Sequence, residues 1–147
     1  MSVRRLEARD IAAVLEIQSA CPEIAQWSEN SYRRVAEGGM AGWVSEDERG
    51  VTGFLVAQQL VRETEVLNLA VRAHARGQGI GRKLIDAAIE WSRGLGAEKV
   101  MLEVRESNAV AIRFYERRGF VIVGRRPGYY KEPVEDGLML SCVLAAR

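Results

Sequence analysis

An apolar run, a glycine-rich loop and an amphipathic pattern follow one another between residues 66 and 96. Residues 66–71 have the length and apolar character of a buried strand. The loop after them, HARGQGIGR, carries three glycines within five residues. A strand, a glycine loop and the start of a helix form the arrangement in which backbone N–H groups bind phosphate. The order therefore predicts an anion site at this loop.

Two common phosphate-binding patterns are excluded by residue identity. A dinucleotide fingerprint, G-x-G-x-x-G, would need glycine at position 82 or 84, where the chain has Arg82 and Leu84. A P-loop would need glycine at position 76 and lysine after Gly81, where the chain has Arg76 and Arg82. The loop therefore belongs to neither nucleotide class.

Composition narrows the remaining classes. The 147 residues predict one domain, 1–147, with 48% hydrophobic and 28% charged residues. A formal net charge of +1 disfavours direct nucleic-acid binding, although a local basic cluster remains at Arg117, Arg118, Arg125 and Arg126. We expect no signal peptide and no membrane span. One histidine and two distant cysteines indicate no metal site, and reduced thiols in a cytoplasmic protein.

The order of periodic segments predicts an α/β fold whose sheet is mixed rather than purely parallel. Helices are predicted after the caps Asp10, Ser28 and either Ser107 or Asn108, and another is predicted after the glycine loop. The second, third and fourth helices end at Gly38–Gly39, near Gly94 or Gly96, and at Gly119, and strands lie within 41–60, 65–71, 99–105, 120–126 and 137–144.

Two longer segments carry a family resemblance. Residues 76–81 fit the pattern R-x-x-G-x-G, and residues 102–120 read LEVRESNAVAIRFYERRGF, a strand followed by a capped helix with Asn and Tyr and a closing G-F. Together they resemble the GCN5-related N-acetyltransferases, above all the branch that acetylates the N-terminal alanine of ribosomal protein S18. WSE at 27–29 and the Tyr-Tyr pair at 129–130 fit the same branch.

The resemblance implies a fold, a cosubstrate and a partner. The fold is a single-domain one with a mixed, mostly antiparallel central sheet flanked by helices. The cosubstrate is acetyl-CoA and the partner is a protein N-terminus, with no membrane. Two departures, a short Lys131-Glu132-Pro133 segment and Gly137 where alanine is usual, bear on substrate preference and not on acetyl-CoA binding.

The same resemblance implies roles for individual residues. Glu103 would be the general base and Tyr115 the general acid. Without the resemblance, the sequence favours an exposed Glu103 paired with Arg105 and a Tyr115 that is simply a core aromatic. Tyr129 and Tyr130 either shape a peptide groove or pack structurally. The implied acetyl-CoA contacts are Leu69, Ala70, Val71, Arg76, Gly77, Gln78, Gly79, Ile80, Gly81, Arg82 and Asn108.

The leading hypothesis is therefore an Nα-acetyltransferase that works by direct transfer in a ternary complex, most simply on ribosomal protein S18. One alternative changes the acceptor to a lysine side chain, a polyamine or another small amine. Another is a module that binds acetyl-CoA without turnover. Competition between α- and ε-amine peptides distinguishes the first alternative, and an absence of transfer to any amine distinguishes the second.

Overall fold

The computed structural model of the protein describes residues 1–38 and 40–145, so Gly39, which the sequence placed at the end of the second helix, lies outside the described residues. Seven strands form one sheet in the order β1-β2-β3-β4-β5-β7-β6. Every neighbouring pair is antiparallel except β4 and β5. The predicted mixed, mostly antiparallel sheet is thus confirmed.

The elements follow the predicted order, with one addition at the start. Residues 2–5, Ser-Val-Arg-Arg, form a short edge strand that pairs with β2. The sequence did not reveal this strand, because it carries a single apolar residue. The strands are β1 (Ser2–Arg5), β2 (Ala41–Asp47), β3 (Gly50–Leu60), β4 (Glu63–Val71), β5 (Lys99–Arg105), β6 (Val121–Lys131) and β7 (Val134–Val143). The helices are α1 (Ile11–Ser19), α2 (Glu29–Ala36), α3 (Ile80–Gly94) and α4 (Ala109–Arg117).

The sheet separates two apolar cores. One face packs against α3 and α4, and there Leu84, Ile85 and Ala88 of α3 are fully buried. The other face packs against α1 and α2, with Val14 and Tyr32 fully buried. Burial alternates along β5, as its sequence predicts, so that its aliphatic residues face the α3 side and its polar residues face the other.

Helix caps agree with the sequence except at α1. The N–H of Ser31 donates to Ser28 Oγ at 3.2 Å, and that of Ala111 donates to Asn108 Oδ1 at 3.2 Å. Asp10 occupies the position before α1, but its carboxylate accepts from the N–H of Glu7 at 2.8 Å and pairs with Arg4. The predicted Asp10 cap is wrong because a 3-10 turn precedes α1 and the buried carboxylate binds backward to it.

One irregularity opens the sheet near its centre. Val56 lies opposite Asn68 while Ala57 lies opposite Val66, so Leu67 is an extra residue in β4. The parallel pairing of β4 with β5 covers only 63–65 against 99–101. Beyond these positions the two strands share no ladder, which leaves a split between them. No helix in the described part of the chain is long and apolar enough to cross a membrane.

Candidate active site

The β4 side of the split offers an unpaired backbone edge. Leu69, Ala70 and Val71 pair with β3 on one side only, because β5 pairing has already ended at Glu65. Apart from the Val71 carbonyl, which accepts from Arg76 Nε, N–H and C=O groups on the open side are therefore available to an extended ligand, which can add as a short strand adds to a sheet edge. The three predicted strand contacts lie together at this edge.

The glycine loop continues directly from that edge into α3. Gly77 and Gly79 have φ values of +78° and +80°, in the left-handed region that favours glycine. Among the described residues, no hydrogen bond uses the backbone N–H groups from Gly77 to Arg82. Unpaired N–H groups at the start of a 15-residue helix bind an anion such as pyrophosphate.

Gly81 has a different reason to be glycine. A Cβ at this position would lie 3.3 Å from the ring of Phe114, so α3 and α4 approach closely here. Ile80 is buried in the core behind the loop and anchors it. The three glycines thus serve two purposes, backbone conformation at Gly77 and Gly79 and close helix packing at Gly81.

The side chains of the loop contribute less than its backbone. Arg76 Nε donates to the carbonyl of Val71 at 3.1 Å, and Nη2 lies 3.2 Å from Cys21 Sγ. The side chain thereby lines a cavity of about 790 Å³ between the end of α1 and the β2–β3 turn. Gln78 and Arg82 are exposed. In this structure the loop would therefore bind an anion mainly through its N–H groups.

Helix α4 carries Asn108 and Tyr115 at its two ends. The Oδ1 atom of Asn108 is engaged in the cap of α4, and its side chain is half-buried. Tyr115 is buried, with its ring 5.4 Å from that of Phe120, and burial raises its pKa. The phenol therefore stays protonated throughout the neutral pH range. The structure shows that Tyr115 is a core aromatic, and its role as the general acid stays a prediction.

Glu103 approaches the split from the opposite face of β5. Its side chain is 15% exposed, and Oε1 pairs with Arg126 Nε at 2.9 Å. Oε2 is buried without a hydrogen-bond partner among the described residues. Burial raises the pKa of Glu103, against the opposing effect of the Arg126 charge. A small pocket of about 190 Å³ surrounds the carboxylate, lined also by Glu63, Glu65, Met101 and Met139.

The surface pair expected between Glu103 and Arg105 is wrong. Arg105 instead pairs with Glu135 at 3.1 Å and stacks on Tyr130, 4.5 Å from the ring centroid. The other oxygen of Glu135 accepts from the N–H of Ser107 at 2.7 Å. The arginine is drawn to the hairpin of β6 and β7 because that hairpin carries an acidic residue opposite the end of β5.

Most of the basic cluster predicted at residues 117–126 is ion-paired. Arg118 pairs with Asp86, Arg125 pairs with Glu106 and Asp136, and Arg126 pairs with Glu103. Three of the clustered arginines are thus neutralised locally. Sequence reasoning missed Arg126 as a site residue, because its contact with Glu103 depends on the register between β6, β7 and β5.

A buried polar network fixes the segment between α1 and α2 beside the split. Asn68 Nδ2 donates to the carbonyl of Ala25 at 2.9 Å and lies 3.1 Å from the hydroxyl of Tyr32. That hydroxyl donates to Gln18, which also accepts from the N–H of Trp27 at 2.9 Å. Burial raises the pKa of Tyr32 to about 12. Sequence reasoning missed this network; the WSE tripeptide was its only signal.

No group of three or more His, Cys, Asp or Glu side chains that could hold a metal occurs within residues 1–38 and 40–145. The residues that do converge fit a thioester cosubstrate instead. A loop of unpaired N–H groups leads into an open strand edge on the β4 side, and a buried carboxylate faces the split from the other side.

The comparisons with known proteins agree with this arrangement. The model of the acetyltransferase (GNAT) family matches residues 11–120. The ribosomal protein bS18-alanine N-acetyltransferase of Salmonella typhimurium is 30% identical, over 92% of this chain and 93% of that protein. The crystal structure of the corresponding Escherichia coli enzyme superposes with a TM-score of 0.88 at 26% identity, over 99% and 95% of the two chains.

A more distant structure shares the fold. Arabidopsis thaliana NAA60 in complex with acetyl-CoA superposes with a TM-score of 0.85 at 21% identity, over 97% of this chain and 98% of that one. Together with the split sheet and the glycine loop, the match of the family model to most of the chain establishes the family. The protein is a member of the GNAT family of acetyltransferases and uses acetyl-CoA as its cosubstrate.

Proposed function

We propose that the protein acetylates a protein N-terminal α-amine, with the N-terminal alanine of ribosomal protein bS18 as its main acceptor. The observation that carries the proposal is the buried Glu103 carboxylate at the split beside the acetyl-CoA site, whose Oε2 has no hydrogen-bond partner within residues 1–38 and 40–145. The names of the Salmonella and E. coli relatives support bS18 as the acceptor. Because the acceptor is a ribosomal protein, we infer that the enzyme acts in the cytoplasm.

The cosubstrate side of the reaction is built from backbone. The N–H groups from Gly77 to Arg82 would hold the pyrophosphate, and the open edge at 69–71 would align the amides of the pantetheine arm. Asn108 adds a side-chain contact from the start of α4. When bound, acetyl-CoA supplies an activated thioester that these groups orient towards the split.

The acceptor must lose a proton before it can attack. An α-amine with pKa ~7.8 costs roughly 1 kcal/mol to be neutral at pH 7, whereas a lysine with pKa ~10.4 costs roughly 4.6 kcal/mol. A single carboxylate suits the smaller of these tasks. Burial raises the pKa of Glu103 and makes it a stronger base than an ordinary glutamate. Its Oε2 receives the proton from the amine, directly or through one water.

Tyr115 completes the proton balance from the other face of the sheet. The amine nitrogen forms a bond to the acetyl carbon, and the bond from that carbon to sulfur breaks. The proton that the ammonium group loses before attack passes to Glu103, and the Tyr115 hydroxyl protonates the departing thiolate. The second proton that the nitrogen loses as the amide forms balances the one that Tyr115 gave up. Because burial raises the pKa of Tyr115, the phenol is always protonated when the thioester arrives.

The positions of the two cysteines favour direct transfer over an acyl-enzyme. Cys21 follows α1 and lies against Arg76, and Cys142 is in β7 with a pKa raised by burial. Neither residue lines the pocket around Glu103. A thiol nucleophile needs access to the thioester, and Cys21 is buried, while burial raises the pKa of Cys142.

The test is acetyl transfer to a hexapeptide copy of the bS18 N-terminus beginning with alanine. The reaction is monitored by the release of CoA. We expect turnover that falls by about 100-fold in Glu103→Gln and in Tyr115→Phe. Glu106→Gln is a matched control, because this exposed glutamate lies three residues further on and pairs with Arg125 at the surface. It should keep nearly full activity.

Other outcomes separate the alternatives. If the wild type binds acetyl-CoA but acetylates only lysine peptides or small amines, the cosubstrate site stands and the α-amine assignment fails. If no amine is acetylated while acetyl-CoA still binds, and Glu103→Gln binds it equally well, the protein is a non-catalytic module. Persistence of bS18 acetylation in cells lacking this gene would contradict the acceptor.

A further inference from the structure

The two oxygens of Glu103 lie in different surroundings. Oε1 accepts a charge-assisted hydrogen bond from Arg126 Nε at 2.9 Å, whereas Oε2 is buried and unpartnered among the described residues. A buried carboxylate oxygen without a partner is costly, and the surrounding structure has to hold it in place. One oxygen of Glu103 is therefore bonded to Arg126, and the lone pairs of the other accept no hydrogen bond from the described residues.

Arg126 is held in position from its own strand. Its guanidinium carbon lies 5.3 Å from the centroid of the Tyr129 ring, within the range of a cation–π contact. A bulge in β6 creates this contact, since Arg126 lies opposite Gly137 but Tyr130 lies opposite Glu135. Gly128 in the bulge has a φ of +61°, and its N–H donates to Asp136 Oδ1 at 2.9 Å.

Glycine at position 137 allows the arrangement to close. A Cβ there would lie 3.3 Å from Glu103 Oε2 and 3.3 Å from Tyr129 Cδ2. The hairpin backbone, the Tyr129 ring and Oε2 therefore meet at a position with little room for a methyl group. This explains in physical terms why the chain has glycine where the resemblance led us to expect alanine.

The ionisable groups around Glu103 come from two strands, β4 and β6. Arg126 of β6 favours the ionised carboxylate, while Glu65 of β4 and burial disfavour it. Tyr130 of β6 is close enough that the Glu103 charge contributes to raising the tyrosine pKa to about 12. Glu65 itself accepts from Gln58 Nε2 at 2.9 Å. Arg126 is the cation that opposes these effects, without outweighing them.

We propose that Arg126 is a positioning residue, which fixes Oε1 of Glu103 so that Oε2 is the oxygen presented to the acceptor amine. The proposal rests on the function proposed above and adds a residue to it. Arg126 does not contact the reacting atoms; it acts through Glu103. The competing possibility is that Arg126 occupies the place of the incoming ammonium group, in which case its removal would increase turnover.

The experiment compares Arg126→Gln and Arg126→Lys with the control Arg125→Gln. Arg125 is a close match, because its side chain is 49% exposed against 53% for Arg126 and it is also ion-paired, with Glu106 and Asp136. The first readout is the pKa of the Glu103 carboxyl from a ¹³C NMR titration, with its signal identified by Glu103→Gln. The second readout is kcat and KM for the bS18 peptide.

We expect Arg126→Gln to raise the pKa of Glu103, since a favourable cation is lost. Its kcat should fall about tenfold with little change in KM, which indicates a loss expressed in the transition state. Arg126→Lys should restore the pKa and most of kcat, and Arg125→Gln should change neither. Normal thermal unfolding of each variant will exclude misfolding as the cause.

Three outcomes overturn the proposal: an unchanged Glu103 pKa in Arg126→Gln, an increase in its kcat, or an equal loss in Arg125→Gln. These are distinct from failure of the proposed function, which appears as absence of α-amine acetylation by the wild type. The NMR titration needs no substrate, so it tests the contact between Arg126 and Glu103 whichever amine the enzyme acetylates.

Discussion

The two sides of the split between β4 and β5 are built from different materials. On the β4 side, the candidate groups are backbone N–H groups from Gly77 to Arg82 and an open strand edge at 69–71. On the other side they are side chains, Glu103 and Arg126, brought together from β5 and β6. A backbone site needs only residues that do not obstruct it, whereas a side-chain site needs a correct register between strands. The backbone site depends on residues that are close together in the sequence, whereas the side-chain site depends on residues that are far apart in it.

The largest expected effect is a loss of acetyl-CoA affinity when the backbone side of the site is disturbed at Gly79. Gly79 and Gly96 flank the same helix, with φ of +80° and +75°, and a Cβ at either meets nothing within 4 Å. Valine in this backbone region costs about 1–3 kcal/mol, and relief of the strain would turn the loop N–H groups away. We expect Gly79→Val to weaken acetyl-CoA binding about 100-fold, measured by calorimetry.

Gly96→Val is the control for this prediction, since it imposes the same strain at the end of α3 that lies far from the loop. Both variants should lose similar thermal stability, but Gly96→Val should bind acetyl-CoA nearly as the wild type does. Equal losses of affinity in the two variants would mean that the loop conformation does not determine binding.

A second variant, Gly137→Ala, disturbs only the side-chain side of the site. A methyl group at position 137 would crowd Glu103 Oε2 and Tyr129, so Gly137→Ala should displace the carboxylate. We expect kcat to fall about tenfold, because even a small displacement of a catalytic group lowers the reaction rate substantially. Affinity for acetyl-CoA should not change. Gly124→Ala is the control: its Cβ would meet the flexible Met139 Sδ at 3.4 Å, and unimpaired turnover is expected.

A third test sharpens the boundary between backbone and side chain at Asn108. Its Oδ1 caps α4, while the resemblance implies a contact with acetyl-CoA. Asn108→Ala should cost about 1 kcal/mol of unfolding free energy through the lost cap. Asn108→Ser should keep the cap and hence the stability, but should bind acetyl-CoA several-fold more weakly. Wild-type affinity in the serine variant would reduce Asn108 to a structural cap.

The smallest expected effect concerns pH. Hydrogen bonds from Ser107 and Gly128 lower the pKa values of Glu135 and Asp136, respectively. A carboxylate whose pKa is lower in the folded state stabilises it above the unfolded value of about 4 and loses that contribution as pH falls through the folded value. Amide protection of Ser107 and Gly128 should therefore drop on acidification while that of α3 persists. A parallel loss in α3 would contradict a local effect.

Agreement between sequence and structure follows the same division. The strand at 99–105, the cap Ser28 and the glycine loop were predicted, and Asn108 was one of two predicted caps of α4, because each depends on residues close together in the chain. The Asp10 cap was wrong because Arg4 and the N–H of Glu7 bind its carboxylate. The partner of Glu103 was wrong because it comes from another strand.

By itself, the sequence determined the order of the elements after β1 and the glycine loop, since hydrophobic periodicity, left-handed glycines and helix caps act over a few residues. The acetyltransferase family followed from the resemblance of residues 76–81 and 102–120. Only the tertiary structure decided which charges meet. The pairing of β4 with β5 ends at Glu65, next to the extra residue Leu67 in β4, and the register of β6 on β7 places Arg126 beside Glu103. These contacts depend on strand register, and a shift of one residue in β6 would turn Arg126 to the other face of the sheet.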